Sequence, residues 1–131
     1  MSKPTKKILI IDDDANIREA VRLTVEEQDF LDIKVTESAD VASGIQQMKD
    51  VRPDIVILDL HMPGKTGFDF MDIVHKNKLL GKAKVIMLTA DDTLVNLFKA
   101  EHKGIGAYHF LGKPFNISDL QALVLDLSLP T

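Results

Sequence analysis

Four consecutive apolar β-formers, Ile55-Val56-Ile57-Leu58, run straight into the carboxylate of Asp59. An apolar run without polar alternation is the pattern of a strand covered on both faces, as in the centre of a parallel sheet. Similar runs stand at Ile8-Leu9-Ile10-Ile11, at Lys84-Val85-Ile86-Met87-Leu88 and at Ala107-Tyr108-His109-Phe110-Leu111. Ile33-Lys34-Val35-Thr36 is more polar and is expected nearer an edge.

Helical periodicity fills the spaces between these runs. Ile17, Val21 and Val25 fall on one face of a helix expected over about 15–28, with Asp14 as its N-cap. A second helix, over 40–49, turns Val41, Ile45 and Met48 inward and is broken at Arg52-Pro53. A third, from about 68 to 76, carries Phe68, Met71 and Val74, and Gly81 closes that region. Asp91 or Asp92 caps a fourth, running to about His102 with Leu94, Leu97 and Phe98 facing in. Asn116 with Asp119 marks a fifth, in which Ile117, Leu120, Leu123 and Leu127 form the apolar stripe. Strand and helix alternate five times, which predicts an α/β protein with a parallel sheet covered on both faces. Right-handed crossovers then put every strand C-terminus along one edge.

That edge gathers the candidate chemistry. The first strand ends in Asp12-Asp13, the third in Asp59, the fourth in Thr89 and the fifth in Gly112-Lys113-Pro114. Ligands of open α/β sheets bind outside the strand C-termini. Three carboxylates in one pocket repel each other unless cations intervene. A hard divalent ion such as Mg²⁺ suits one or two carboxylates. With an ammonium and a hydroxyl beside it, the pocket suits a phosphoryl group, and a carboxylate there can itself be the nucleophile. Asp14 is accounted for by capping alone.

These residues resemble the response-regulator receiver domain, the phosphoacceptor module of two-component signalling, in its chemotaxis-regulator-like form. The resemblance rests on Ile8-Leu9-Ile10-Ile11-Asp12-Asp13-Asp14, on Asp59-Leu60-His61-Met62-Pro63 with Gly67, on Thr89-Ala90 and on Lys113-Pro114-Phe115. It implies a flavodoxin-like, doubly wound sheet of five parallel strands in order 2-1-3-4-5 with five helices. It implies one receiver domain over 1–131, with a core of about 7–127. Asp59 would be the phosphorylated residue. Asp13, Asp59 and the backbone carbonyl of His61 would hold Mg²⁺, with Mn²⁺ as a substitute, and Asp12 would act through a metal-bound water. Lys113 would pair with the phosphoryl group, Thr89 would donate to it, and the N–H groups of His61 and Ala90 would add donors. Thr89 and Phe110 would form the switch, although Phe110 lacks the hydroxyl of the commoner Tyr. The His61 side chain, and similarly Asp91, would flank the phosphoryl group and tune its lifetime. Lys113-Pro114 would be a cis peptide. The phosphoryl donor would be a sensor histidine kinase or a histidine phosphotransfer protein, and the output an unknown partner or a covalently attached effector domain. Homodimers would form through the fourth and fifth helices. The stretch from Thr89 to Gly106, with Gly104-Ile105-Gly106, is slightly longer than usual for the family.

Bulk properties narrow the rest. The 131 residues suffice for one domain and one core. The chain has no cysteine, which excludes disulfides, thiolate nucleophiles and Cys-based metal sites and fits a cytoplasmic location. Its net charge of −4 argues against direct nucleic-acid binding. Its apolar runs are too short for membrane insertion, and no signal peptide is read at the start. His75, His102 and His109 show no ligand spacing and are expected at the surface. An unphosphorylated docking module is the rival among binding proteins. A haloacid-dehalogenase-type phosphatase, using Asp12 and Asp14, is the rival among enzymes. No substrate turnover separate from reaction at Asp59 is expected.

Overall fold

The computed structural model describes residues 3–90, 96 and 108–129. Its elements, in chain order, are β1 (Thr5–Ile11), α1 (Ala15–Glu26), β2 (Asp32–Ser38), α2 (Val41–Val51), β3 (Ile55–Asp59), α3 (Gly67–Lys76), β4 (Lys84–Thr89), β5 (Tyr108–Gly112) and α4 (Ile117–Leu127). The strands form one parallel sheet in the order β2-β1-β3-β4-β5. The described residues contain four helices; the helix expected between Asp91 and His102, and the segment through Gly106, lie outside them.

Side-chain alternation along the strands splits the core into two layers. Leu9, Ile11, Val56, Leu58, Val85 and Met87 face the layer of α2 and α3, where Met48, Phe70, Met71 and Val74 are buried. Ile8, Ile10, Ile55, Ile57, Ile86 and Leu88 face α1 and α4, against Val21, Val25, Leu120 and Val124. β3 is buried along its whole length, whereas the edge strand β2 is mostly half-exposed, as its polar composition requires.

Several boundaries differ from expectation. β1 begins at Thr5 because Thr5, Lys6 and Lys7 pair with Asp32, Ile33 and Lys34. α1 stops at Glu26, where the Glu27 N–H bonds Leu23 O, and Asp40 caps α2 rather than opening it. In α4 the Asn116 side chain accepts from the Ser118 N–H, so the cap is local and the expected box with Asp119 is not made. Ile117, placed in the apolar stripe, is 56% exposed, whereas Val124, outside the expected stripe, is buried. A full capping box stands in α3, between Thr66 and Asp69.

At the N-terminal edge of the sheet, Asp54 ties three strands together. Its carboxylate accepts from the Lys7 N–H (2.8 Å) and pairs with Lys82 (3.1 Å), while its carbonyl accepts from the Lys84 N–H. Burial would raise its pKa, but the Lys7 N–H and the Lys82 ammonium outweigh burial and hold it below the ordinary value. A depressed carboxyl pKa contributes stability above the unfolded value, and that contribution disappears as pH falls through the folded value. Asp54→Asn is therefore expected to cost about 1–2 kcal/mol at pH 7. The difference should narrow in strong acid, as pH falls through the lowered folded value and the native carboxylate is protonated too. Urea unfolding under both conditions checks this; an equal deficit in both would remove the charge from the account.

Candidate functional site

β1 and β3 are neighbours, and both end in carboxylates at the edge where the chain reverses direction across the sheet. Asp12 is buried one residue beyond β1, Asp13 is exposed beside it, and Asp59 is the buried last residue of β3. One carboxylate oxygen from each of the three lies within 4.8 Å of the others. Asp14, expected as a cap, accepts from the Asn16 N–H and stands outside the group. The Asp12–Asp14 pair required by the phosphatase reading therefore does not converge.

Lys113 follows β5 and reaches across β4. Its ammonium lies 3.2 Å from Asp12 Oδ2 and 3.3 Å from Asp59 Oδ1. The same Asp59 oxygen accepts from the His61 N–H at 3.0 Å, while the His61 residue as a whole is exposed. Thr89, the buried last residue of β4, pairs in register with Gly112, and its carbonyl accepts from the Lys113 N–H at 3.0 Å. Ala90 is exposed directly after it. Phe110 sits on β5 opposite Met87, half-buried against the α2 and α3 layer. The Lys113-Pro114 peptide is cis. His75 is exposed and His109 half-buried, while Asp91 and His102 lie outside the described residues.

Burial raises the pKa of Asp12 most, and the charge of Asp59 raises it further; the Asp14 N–H and Lys113 act in the opposite direction without cancelling the rise. A single ammonium thus leaves the pocket with excess negative charge. Three hard oxygen donors within 4.8 Å, one of them held above its ordinary pKa by burial and a like charge, fit a hard divalent cation.

Sequence reasoning missed the supports behind this pocket. Arg18 donates to the Asp12 carbonyl (2.7 Å) and pairs with Glu37 (3.1 Å), fixing the end of β1 from α1 and β2. Gly67, one residue before the expected start of the third helix, opens α3 and packs on the backbone of Asp59 and Leu60. Thr66 and Asp69 carried a legible signal, a threonine followed three residues later by an acid. Arg18 carried none, because its partners are distant in sequence.

A doubly wound parallel sheet with three carboxylates and a lysine at its switch point defines a phosphotransfer-type signalling module. The chain belongs to the response regulator receiver domain family, which it matches over residues 8–125. It is 29% identical over 119 residues to the phosphate regulon transcriptional regulatory protein PhoB of Klebsiella pneumoniae, covering 91% of this chain and 50% of PhoB. It is 31% identical over 114 residues to a protein-glutamate methylesterase/protein-glutamine glutaminase of Myxococcus xanthus, covering 86% of this chain and 31% of that protein. The chemotaxis response regulator CheY4 of Vibrio cholerae superposes with a TM-score of 0.78 at 29% identity, covering 94% of this chain and 98% of CheY4. The chain spans about half the length of PhoB, and less of the methylesterase. Among the described residues no helix is long and apolar enough to cross a membrane.

Proposed function

We propose that this receiver domain is a Mg²⁺-dependent phosphoacceptor in which Asp59 takes the phosphoryl group. The observation that carries the reading is the placement of one ammonium, Lys113, between two buried carboxylates from different strands. Asp12, Asp13 and Asp59 would hold the ion, joined by the His61 carbonyl, with Asp12 acting through water; Mn²⁺ would serve in its place. When bound, the cation supplies positive charge that offsets the acidic cluster and the incoming phosphoryl oxygens.

The chain's own residues do the rest. His61 N–H and Lys113 hold Asp59 Oδ1, which leaves Oδ2 to attack phosphorus. An O–P bond forms as the P–N bond of a phosphohistidine breaks, and the imidazole departs. Lys113 pairs with the transferred group, and Thr89 with the N–H groups of His61 and Ala90 donates to its oxygens. Positioning by three strand ends makes the receiver a catalyst of its own modification, without turnover of a separate substrate. Thr89 and Phe110 shift the balance between two packings of β5 and its neighbours. The exposed His61 side chain tunes the lifetime of the acyl phosphate. The donor is a sensor histidine kinase or a histidine phosphotransfer protein. The output is a partner or attached effector domain, and pairing of two copies runs through the fourth and fifth of the five helices expected from the sequence. The chain works in the cytoplasm as one domain.

Incubation with acetyl phosphate followed by intact mass measurement tests the reading. One phosphoryl group is expected with Mg²⁺ and none with EDTA. Absence of uptake from acetyl phosphate, and from a phosphorylated histidine phosphotransfer protein, would leave the docking module as the better account.

A further inference from the structure

The acidic pocket occupies one edge of the sheet, and the opposite edge is basic. There a cavity of about 620 Å³ lies between the ends of α2 and α3 and the start of the sheet. Five cations line it: Lys7, Lys49, Arg52, Lys78 and Lys82. Lys7 is tied to the Val51 carbonyl (3.0 Å) and Lys82 to Asp54 (3.1 Å). Lys49, Arg52 and Lys78 enter no ion pair among the described residues. The floor is apolar, formed by Met48, Pro53, Leu79 and Leu80.

Helix polarity accounts for only part of this charge. Cations near helix C-termini are favourable, which accounts for Lys49 in the last turn of α2, Arg52 as its C-cap and Lys78 just past the C-cap of α3. Lys7 belongs to β1, and Lys82 to the connection before β4. Arg52 and Lys78 adopt left-handed backbone, at φ 54° and 56°, where glycine is the residue without steric cost. At both positions the chain carries a long cation instead.

We infer that this cavity is a binding site for a nucleoside polyphosphate. Its volume is that of a small-ligand pocket rather than of a track for a polymer. The guanidinium of Arg52 matches a phosphate by paired hydrogen bonds, and the lysines neutralise a chain of phosphates as point charges. The apolar floor receives the face of a base, which pyrophosphate lacks. The site stands apart from the acidic pocket, so it does not depend on phosphorylation of Asp59.

Calorimetric titration of the full chain with ATP tests it. EDTA is present to prevent a divalent ion from linking ATP to the acidic cluster. Arg52→Gly/Lys78→Gly is the informative variant, since glycine removes both cations and relieves both left-handed positions. Its thermal midpoint is expected to be no lower than that of the parent. Saturable ATP binding that is tighter than pyrophosphate binding, and weakened about tenfold or more in the variant, supports the site. The inference is overturned by no saturation at millimolar ATP, by equal ATP affinity in a folded variant, or by pyrophosphate binding as tightly as ATP.

Discussion

Asp59→Asn is expected to take up no phosphoryl group from acetyl phosphate under conditions where the parent gains one. The amide keeps the shape of the side chain and an oxygen that can accept from the His61 N–H, which the carboxylate does at 3.0 Å. It lacks the nucleophilic oxygen anion, so the loss should be complete rather than partial. The fold should survive, because the substitution removes a buried charge from a cluster in which like charges already oppose one another. A second readout separates this account from mere damage. Burial and the Asp59 charge together hold Asp12 above its ordinary pKa. With the Asp59 charge gone, the Asp12 carboxyl should titrate lower, followed by its NMR carboxyl resonance in metal-free protein. Uptake that persists in Asp59→Asn and disappears in Asp12→Asn would shift the chemistry to β1 and revive a phosphatase-type reading.

The parallel sheet and the convergence of Asp12, Asp13, Asp59, Thr89 and Lys113 on one edge were legible because each signal is local, whereas the strand order followed from the family resemblance alone. Apolar runs mark strands buried on both faces, and the residue where a run stops marks the edge. What stayed hidden depends on contacts between distant segments. The extension of β1 through Thr5, Lys6 and Lys7 follows from pairing with β2, which no pattern within those residues announces. Arg18, on α1, donates to the carbonyl of Asp12 while pairing with Glu37 on β2, partners that lie far apart in sequence. Ile117 obeys the helical spacing of its neighbours and is nonetheless exposed, since periodicity fixes a direction around the helix axis and not what lies opposite it. The basic edge was invisible for a related reason. Lys7, Lys49, Arg52, Lys78 and Lys82 come from separate parts of the chain, and in a net charge of −4 their local excess is averaged away.

Gly67→Ala should be the most damaging glycine-to-alanine change among the described glycines, because its contacts are partly backbone whereas those at Gly44 are side-chain atoms. A Cβ at this position would lie 2.8 Å from the Asp59 carbonyl oxygen, 2.8 Å from Leu60 Cδ2 and 2.9 Å from Leu60 Cα. A flexible side chain could turn away, but two of these atoms are backbone. That backbone is held by the Leu60 N–H to Leu88 O bond at 3.2 Å and by the Gly67 N–H to Leu60 O bond at 3.4 Å. Relief requires moving either the end of β3 or the first turn of α3, which packs the buried Phe70 and Met71 into the core. Overpacking of this kind costs about 3 kcal/mol, or roughly 10 °C in thermal midpoint for a domain of this size. The displaced atom is the carbonyl of Asp59, the proposed phosphoacceptor, so uptake from acetyl phosphate should also fall in the fraction that remains folded. Gly64→Ala is the matched control. Gly64 has φ 77° with nothing within 4 Å of an added Cβ, so alanine there meets backbone strain alone, about 1 kcal/mol. Denaturant unfolding of the two variants decides the matter. Equal losses would mean that the close approach at Gly67 relaxes at little cost, and that the α3 start is not what fixes the position of Asp59.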